Sequence, residues 1–251
     1  MSQKILFSNI GYAKGIDGTL WQHFWRMHRH IYCPIPMQQQ VLGQLKNIIR
    51  QEQPDICCFV EIDEGSFQSG EFNQMHALMD EEYHFHDMAD KYGVGNFLSR
   101  VPFHKGKNNG FLAKSVLPFD RLYFDFGSKR LLYKIILPGD IHLFFGHFSL
   151  NRRVRLRQFQ VLNRMVKETL GKVIVLADFN IMDGFAELGA ITDGTDLKIL
   201  NREEDYTFTF HRRQLALDIC LCSSELAGQV GLKIIPQPYS DHAALLVELP
   251  E

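Results

Sequence analysis

Short apolar runs of strand length recur along the whole chain, and they limit the possible folds more than any other feature of the sequence. The runs are rich in Val, Ile, Leu and Phe and are bounded by Gly, Pro or Asp, as buried β-strands are. The predicted strands are Ile5–Ile10, Ile56–Glu61, Phe111–Lys114, Leu131–Leu137, His142–His147, Val173–Asp178, Tyr206–Phe210, Leu217–Leu221 and Ala243–Leu249. Strands this apolar need cover on both faces, which favours stacked sheets.

Two longer stretches between these runs have the periodicity of amphipathic helices. Met37–Gln51 places Val41 and Leu45 on one face, and Arg155–Leu170 ends just before Gly171, a residue that favours helix ends. Strands outnumber helices. We therefore predict an α/β (α+β) fold, a four-layer sandwich of two packed mixed β-sheets flanked by helices.

Two segments do not follow this pattern. Asp87–Asn109 contains several Gly and Pro residues and is predicted to be a long surface loop, either on the substrate side or an ordered decoration. Trp21–Pro36 combines Trp21 and Trp25 with other aromatic residues, three His and two Arg. This segment is either an aromatic, basic wall over a substrate or a lipid surface, or an amphipathic segment whose aromatic rings cover the core.

Length and charge set broad limits on the class of protein. With 251 residues the chain is predicted to form one catalytic domain, 1–251, and its formal charge of −2 excludes a basic field over the whole protein. The five Cys lack a CxxC pair and lie mostly in apolar runs, which predicts buried free thiols rather than a zinc site. Because no signal peptide or membrane-spanning run is recognisable, we expect a cytoplasmic protein without a transmembrane segment.

Polar side chains end many of the predicted strands. They are Asn9, Glu61, His147, Asp178, Asn180, Asp218, Asp241 and His242. Each one alone is more simply a cap, a turn residue or a buried polar group with a partner. If the strands lie side by side, however, these residues converge at one rim, where several buried carboxylates require a cation. Hard oxygen ligands with few His suit Mg²⁺, Mn²⁺ or Ca²⁺ better than Zn²⁺.

The order of these motifs resembles the endonuclease/exonuclease/phosphatase superfamily, which includes deoxyribonucleases, abasic-site endonucleases, neutral sphingomyelinases and inositol polyphosphate 5-phosphatases. The matching motifs are Asn9-Ile10, Gln53-Pro54-Asp55-Ile56 before Glu61, Gly110–Lys114, Gly146–Leu150, Ala177-Asp178-Phe179-Asn180, Leu217-Asp218-Ile219 and Ser240-Asp241-His242. They span nearly the whole chain, and His147–Gln158 is especially similar to small bacterial members. The resemblance implies hydrolysis of a phosphate ester by in-line attack of water.

The resemblance also implies a metal centre. Glu61 would be the main carboxylate for Mg²⁺, and Mn²⁺ or Ca²⁺ would also fit the site. Asn9 and Asp241 would lie nearby and act directly or through water. A cation in this position neutralises charge on the phosphoryl oxygens and stabilises the leaving oxygen.

The catalytic roles follow from the same resemblance. Asp178 would orient or deprotonate the attacking water, and Asn180 would hold a phosphate oxygen and help to place Asp178. His242 would contact the scissile phosphate, while Asp218 fixes the tautomer of His242 and supports its positive charge. His147 would be a second imidazole on the phosphate side.

Arginines close to these motifs are candidates for substrate contacts. Arg152 and Arg153 follow the His147 motif together with Arg155 and Arg157, and Arg212 and Arg213 precede the Asp218 strand. The first group is either a cationic lip that grips phosphates or the solvated first turn of the following helix. Cations at a helix N-terminus oppose its dipole, which favours another reason for their presence.

The sequence leaves the substrate open. Local Arg pairs allow a nuclease, which is slightly favoured, whereas the aromatic segment with Trp21 and Trp25 would suit peripheral contact with lipid and a phospholipid or sphingomyelin-type phosphodiesterase. An inositol-phosphate phosphatase is the third enzymatic candidate. A non-catalytic binding module on the same fold is the outside alternative, although Glu61, Asp178 and His242 are all present.

Overall fold

Two six-stranded mixed β-sheets form the centre of the computed structural model, which describes residues 2–93, 101 and 104–250. The first sheet, in spatial order, consists of β13 (Gly231–Ile235), β14 (Ala244–Glu248), β1 (Lys4–Asn9), β2 (Ile56–Asp63), β4 (Lys107–Ala113) and β3 (Phe85–Asp90). The second consists of β5 (Phe119–Tyr123), β6 (Leu131–Leu137), β7 (Ile141–His147), β8 (Lys172–Asp178), β12 (Asp218–Ser223) and β9 (Leu197–Ile199). A separate hairpin pairs β10 (Phe208–Phe210) with β11 (Arg213–Leu215).

Two long helices connect the only parallel strand pairs in the described part of the chain. Helix α2 (Ile35–Glu52) joins β1 to β2, and α4 (Arg152–Glu168) joins β7 to β8. Parallel neighbours need such a crossover because a tight turn cannot connect them. The shorter helices are α1 (Leu20–Arg26), α3 (Gln74–Leu78), α5 (Gly189–Thr192) and α6 (Ser224–Ala227).

The side chains of the central strands alternate between two apolar environments. In β1, Ile5 and Phe7 point into the core between the two sheets, whereas Leu6 packs with Val41 and Leu45 of α2. A third core lies between the second sheet and α4. The layers are therefore helix, sheet, sheet and helix, which confirms the predicted four-layer sandwich. Burial on both faces explains why these strands are continuously apolar rather than alternating.

The prediction of a surface loop over Asp87–Asn109 is wrong at both of its ends. Strand β3 extends to Asp90, and β4 begins at Lys107, while 94–100 and 102–103 lie outside the described residues. Strand β3 is an edge strand with one neighbour and is only partly buried. Its sequence therefore tolerates polar residues and lacks the apolar run of a central strand.

All five Cys are buried and unpaired, as predicted. Burial raises the pKa of every one of these thiols, so each stays protonated and unreactive. Within the part of the chain that the structure describes, no helix has both the length and the apolar character to cross a membrane.

Candidate active site

Strand register brings three of the predicted site residues into one row across the second sheet. His147, the last residue of β7, is the parallel partner of Asp178, the last residue of β8. Asp178 is in turn the antiparallel partner of Asp218, the first residue of β12. All three are buried. The row lies at the rim of the sheet because the apolar core fills the strands behind it.

The first sheet supplies Asn9 and Glu61 to the same rim. Strands β1 and β2 are parallel, so their carboxyl ends lie at one edge. The Nδ2 of Asn9 donates to Asp178 Oδ2 across the two sheets at 3.0 Å, and its Oδ1 accepts from the backbone N–H of Gly11 at 3.1 Å. The Asn9 amide thus holds Asp178 in place and fixes the turn after β1.

Glu61 projects from an irregular point of β2. The pairing of β2 with β4 shifts register between Phe59 and Ile62, and Glu61 has a left-handed backbone with φ of 57°. A bulge re-aims a side chain, and a non-glycine residue in this conformation is strained. Strain at a predicted metal ligand is consistent with a functional constraint on the direction of the carboxylate.

His242 lies between two carboxylates. Its Nδ1 is 2.7 Å from Asp218 Oδ2, and its Nε2 is 3.9 Å from Asp178 Oδ2. Burial lowers the pKa of His242, but the Asp218 and Asp178 carboxylates outweigh it and raise that pKa to about 10. The imidazole is therefore a cation at neutral pH, as the sequence predicted for a carboxylate–His pair.

Asp178 is the point where the two sheets and the histidines meet. Its Oδ2 accepts the hydrogen bond from the Asn9 amide and lies 2.9 Å from His147 Nε2. Its Oδ1 accepts a hydrogen bond from the backbone N–H of Asn180 at 3.1 Å. Burial raises the pKa of Asp178, but His147 and His242 hold it well below its usual range. Asp178 is thus an ionised hydrogen-bond acceptor, which suits orientation of a water better than removal of its proton.

Asn180 lies next to Asp178, as predicted, but much of its amide serves the protein itself. It adopts a left-handed conformation with φ of 53°, and its Nδ2 donates to the backbone oxygen of Phe148 at 2.9 Å. This bond ties the loop after β8 to the loop after β7.

His147 is paired with a lysine that the sequence reasoning missed. The ammonium of Lys129 contacts His147 Nε2, and burial and then Lys129 lower the pKa of His147. His147 is therefore protonated less readily than a free imidazole. Its Nδ1 is buried without a hydrogen-bond partner and faces Glu61 Oε1 at 3.8 Å.

Lysines, rather than histidines alone, balance the negative charge at Glu61. The Lys91 ammonium is 3.7 Å from Glu61 Oε1. Burial raises the pKa of Glu61, but Lys91, His147, Lys129 and Lys14 together hold it well below its usual range. The sequence predicted that clustered carboxylates need a cation, and buried ammonium groups meet part of that need.

The donor set at this rim fits a hard divalent cation. Glu61 and Asp241 line one cavity of about 90 Å³ together with Lys14 and Ser240. Burial raises the pKa of Asp241, His242 opposes that rise and the Glu61 carboxylate adds to it. A bound cation would offset the repulsion between the Asp241 and Glu61 carboxylates. Carboxylate oxygens at such a cavity are the ligands that Mg²⁺, Mn²⁺ and Ca²⁺ prefer.

A second group of possible ligands lies deeper in the site. Donor atoms of Asp178, Asp218 and His242 all lie within 4.8 Å of one another. A cation here would have to replace the His242–Asp218 hydrogen bond and compete with Asn9 and His147 for Asp178. The cavity beside Glu61 and Asp241 requires no such exchange and is the better candidate.

The arginines after His147 do not form a single group. Arg155 is buried and pairs with Glu187 at 2.7 Å, so it is neither part of a cationic lip nor a solvated residue. Arg152 is exposed near Asp183, and Arg153 is exposed on the same helix. Arg212 and Arg213 are also exposed, as is Arg157. A substrate contact by Arg152, Arg153 or Arg212 stays a prediction.

The aromatic side chains of α1 do not cover the core. Trp21, Phe24 and Trp25 are 70%, 71% and 60% exposed, which rules out the packing alternative for these three rings. The helix begins two residues after Gly18, whose Cα packs against Thr209 and the side chain of Asp241. The N-terminal end of α1 therefore lies near Asp241.

Comparison with known proteins shows the same fold in other chains. The fold resembles truncated TDP2 of Caenorhabditis elegans, with 16% identity, a TM-score of 0.68, and 100% of this chain and 98% of that chain covered. It also resembles ANGEL2, a 2′,3′-cyclic phosphatase, with 14% identity, a TM-score of 0.64, and 99% of this chain and 95% of that chain covered. The endonuclease domain of TRAS1, a telomere-specific non-LTR retrotransposon, is similar with 13% identity, a TM-score of 0.57, and 98% of both chains covered. No curated protein matches the sequence. Residues 39–242 match the model of the Endonuclease/Exonuclease/phosphatase family, and the chain belongs to this family.

Proposed function

We propose that this protein is a divalent-metal-dependent hydrolase of phosphate esters and that its substrate is a phosphodiester in nucleic acid. The observation that carries the proposal is the convergence of side chains on Asp178. Its carboxylate accepts a hydrogen bond from Asn9 of the first sheet and contacts His147 of the second. It also lies beside the His242–Asp218 pair. A fixed carboxylate next to an imidazolium offers an acceptor for water and a donor for a phosphoryl oxygen.

Each side chain has a role in this proposal. Asp178 accepts a hydrogen bond from the attacking water and aims it at phosphorus. His242 donates from Nε2 to a non-bridging oxygen, because Asp218 already holds the proton on Nδ1. Asn9 keeps Asp178 in position.

Glu61 and Asp241 would hold the metal, with Asn9 close by. When bound, Mg²⁺ or a similar cation would neutralise phosphoryl charge and stabilise the leaving oxygen. Asn180 and His147 complete the phosphate side of the pocket. His147 keeps its unpartnered Nδ1 towards Glu61, where a water molecule could donate a hydrogen bond to it.

The choice of nucleic acid rests on charge and on two structural relatives. Buried Lys91 and half-buried Lys129 add positive charge at the pocket although the whole chain has a formal charge of −2. TRAS1 provides an endonuclease domain and ANGEL2 a 2′,3′-cyclic phosphatase on this fold. Ammonium groups confined to one pocket suit a phosphodiester at a strand end or in a flexible segment better than a long duplex.

The exposed rings of Trp21, Phe24 and Trp25 favour a second candidate, a phospholipid or sphingomyelin-type phosphodiesterase. Aromatic side chains beside a hydrolytic site can insert into a membrane interface. On this alternative, Trp21→Ser/Trp25→Ser would abolish co-sedimentation with anionic vesicles. Vesicle binding by neither wild type nor variant would exclude the lipid candidate.

A single assay tests the reaction class. Hydrolysis of bis-p-nitrophenyl phosphate should require Mg²⁺ or Mn²⁺ and should fall by about 10²-fold or more in Glu61→Ala and His242→Ala. Glu81→Ala and His84→Ala remove the same residue types from exposed positions and serve as matched controls. Turnover that survives both site substitutions would refute the assignment, and no turnover on any phosphoester would favour a non-catalytic binding module.

A substrate panel tests the substrate class. Single-stranded DNA, abasic DNA, a lysophospholipid and an inositol phosphate would be compared under identical conditions. We expect hydrolysis of a DNA substrate that weakens steeply with salt. A higher kcat/KM for the lipid or for the inositol phosphate would move the assignment to that alternative.

The organisation of the whole protein is also proposed. We infer that 1–251 act as one catalytic domain, because β1 and β14 come from opposite ends of the chain and are neighbours in one sheet. The buried free thiols support function in a reducing compartment such as the cytoplasm.

A further inference from the structure

Three lysines from separate segments surround the ring of Tyr12. The ammonium nitrogens of Lys14, Lys91 and Lys107 lie 5.0, 4.9 and 4.8 Å from the centre of that ring. Lys91 also donates to the Tyr12 hydroxyl. Lys14 follows β1, Lys91 follows β3, and Lys107 begins β4, so the fold brings together three cations that are distant in sequence.

Tyr12 is held rigidly at the centre of this group. Gly11, Tyr12 and Ala13 form a left-handed turn with φ of 52°, 56° and 53°. Non-glycine residues rarely adopt this conformation, and two in succession are strained. The turn is fixed by Gln74 Nε2, which donates to the backbone oxygen of Tyr12 at 2.8 Å. The buried ring is therefore set in position before any ligand arrives.

Among the described residues, one of these three lysines forms an ion pair. Within the described part of the chain, Glu61 forms an ion pair with Lys91, and neither Lys14 nor Lys107 forms one. Asp63 lies nearby, but its carboxylate already accepts hydrogen bonds from Gly65, Ser66 and Ser69. One ion pair thus serves three ammonium groups. Burial lowers the pKa of Lys14, and the nearby Glu61, Asp241 and Asp63 carboxylates oppose that shift without pairing with it. Attraction to the ring of Tyr12 offsets only part of their mutual repulsion.

The lysine group is continuous with the catalytic pocket. Lys91 and His147 contact the same oxygen of Glu61, so one carboxylate separates them. Lys14 lines the cavity that Glu61 and Asp241 share. An anion bound at the lysines would therefore lie directly beside the position of the scissile phosphate.

We propose that Lys14, Lys91, Lys107 and the Tyr12 hydroxyl form a second phosphate-binding subsite, so that the preferred substrate carries a further phosphate group next to the ester that is cleaved. Ammonium groups bind phosphate oxygens as point charges through charge-assisted hydrogen bonds. The inference rests on the proposed function. The second phosphate is either a terminal phosphate of an oligonucleotide or a second phosphate on a small phosphorylated molecule.

A competing explanation is that the lysines only neutralise Glu61. Of the three lysines, Lys91 forms the ion pair with Glu61, at 3.7 Å. In the described part of the chain Lys14 and Lys107 form no ion pair, and both are only partly buried, so a ligand can approach them. They are also the better sites for substitution, because replacing the buried Lys91 risks the fold.

The first test compares substrates that differ in one phosphate. Each variant receives a dinucleotide with or without a 5′-phosphate and, in a separate arm, a polyol monophosphate or bisphosphate. We expect a preference in kcat/KM for the additional phosphate that falls by about tenfold in Lys14→Gln and Lys107→Gln. Lys105→Gln removes a lysine from an exposed position two residues from Lys107 and should keep the wild-type preference.

The arm that shows the preference identifies the source of the second phosphate. If Lys107→Gln lowers kcat/KM by the same factor for both members of each pair, the lysines serve charge balance and the subsite is refuted. The absence of any preference in the wild type would refute it as well.

A second test is independent of catalysis. Inorganic pyrophosphate is titrated into the metal-free protein and binding is followed by calorimetry. Lys14→Gln and Lys107→Gln should each weaken binding by about tenfold, whereas Lys105→Gln should not. Pyrophosphate binding that depends on the lysines, combined with no hydrolysis of bis-p-nitrophenyl phosphate, would refute the proposed reaction but support the anion site. Binding that ignores both substitutions would sink the anion site alone.

Discussion

Asp178 and Asp218 occupy directly opposed positions of the antiparallel pair formed by β8 and β12. Both carboxylates are buried, and like charges at opposed positions destabilise a sheet. His242 resolves this conflict, because its Nδ1 is 2.7 Å from Asp218 and its Nε2 is 3.9 Å from Asp178. The protonated imidazole is thus both the proposed donor to the phosphoryl group and the cation that lets two aspartates share one rim.

The first prediction concerns the pKa of His242. In the metal-free protein, NMR titration should place it near 10, and Asp218→Asn should bring it down towards or below 6.5 because the nearest carboxylate is lost. An Asp218→Asn variant whose His242 still titrates near 10 would contradict the role given to this pair.

The same pair has a consequence for stability. A pKa raised in the folded state adds stability that is complete below the unfolded value of 6.5 and is lost as the pH rises towards 10. The free energy of unfolding of the wild type should therefore fall relative to that of Asp218→Asn across this range. Urea titrations at pH 6 and at pH 9.5 measure the difference, and equal differences at the two pH values would argue against it.

The second prediction separates the two candidate cation positions. Calorimetric binding of Mn²⁺ should be lost or weakened at least about tenfold in Glu61→Gln and Asp241→Asn, since each removes a charged oxygen ligand. Asp218→Asn should retain Mn²⁺ binding. The reverse pattern would move the ion to the buried group of Asp178, Asp218 and His242.

The sequence predicted the central strands and missed the edges, for a physical reason. Eight predicted strands correspond to the eight central strands of the two sheets, which are buried on both faces and therefore continuously apolar. The four edge strands, β3, β5, β9 and β13, all escaped prediction. Each has one neighbour and partly exposed side chains, so polar residues such as those of Phe119–Tyr123 interrupt the apolar pattern.

The sequence predicted those site residues that lie at the ends of strands. Asp178, Asp218 and His242 follow or precede apolar runs, and their convergence follows once the sheets are stacked. Lys91 and Lys129 could not be found in this way, because a lysine in a polar segment is normally solvated. Their burial depends on loops whose paths are set by contacts distant in sequence, such as Gln158 Nε2 donating to the backbone oxygen of Lys129.

The third prediction uses a glycine beside the site. Gly18 has φ of 78°, and a Cβ there would lie 1.9 Å from the backbone oxygen of Thr209 and 3.1 Å from Asp241 Cβ. Gly18→Ala should therefore shift the segment against Asp241 and lower both stability, by more than about 1 kcal/mol, and hydrolysis.

Gly43→Ala is the matched control for Gly18→Ala. Gly43 lies within α2, and no atom would be within 4 Å of an added Cβ. The control should gain about 0.5–1 kcal/mol, because alanine favours a helix over glycine. Chemical denaturation measures whether each variant gains or loses stability. A Gly18→Ala variant with unchanged stability and hydrolysis would show that this contact with Asp241 does not constrain the site.

The fourth prediction concerns the buried ion pair between Arg155 and Glu187. Arg155 Nη2 lies 2.7 Å from Glu187 Oε2, and Arg155 Nη1 donates to the backbone oxygens of Ser149 and Leu150, immediately after the His147 loop. Arg155→Ala leaves Glu187 buried without its partner and should cost about 3–5 kcal/mol. Arg153→Ala, on the exposed face of the same helix, should change the free energy of unfolding by less than about 0.5 kcal/mol. Guanidinium denaturation compares the two, and a loss in Arg155→Ala no larger than in Arg153→Ala would return Arg155 to the phosphate-binding role that the sequence left open.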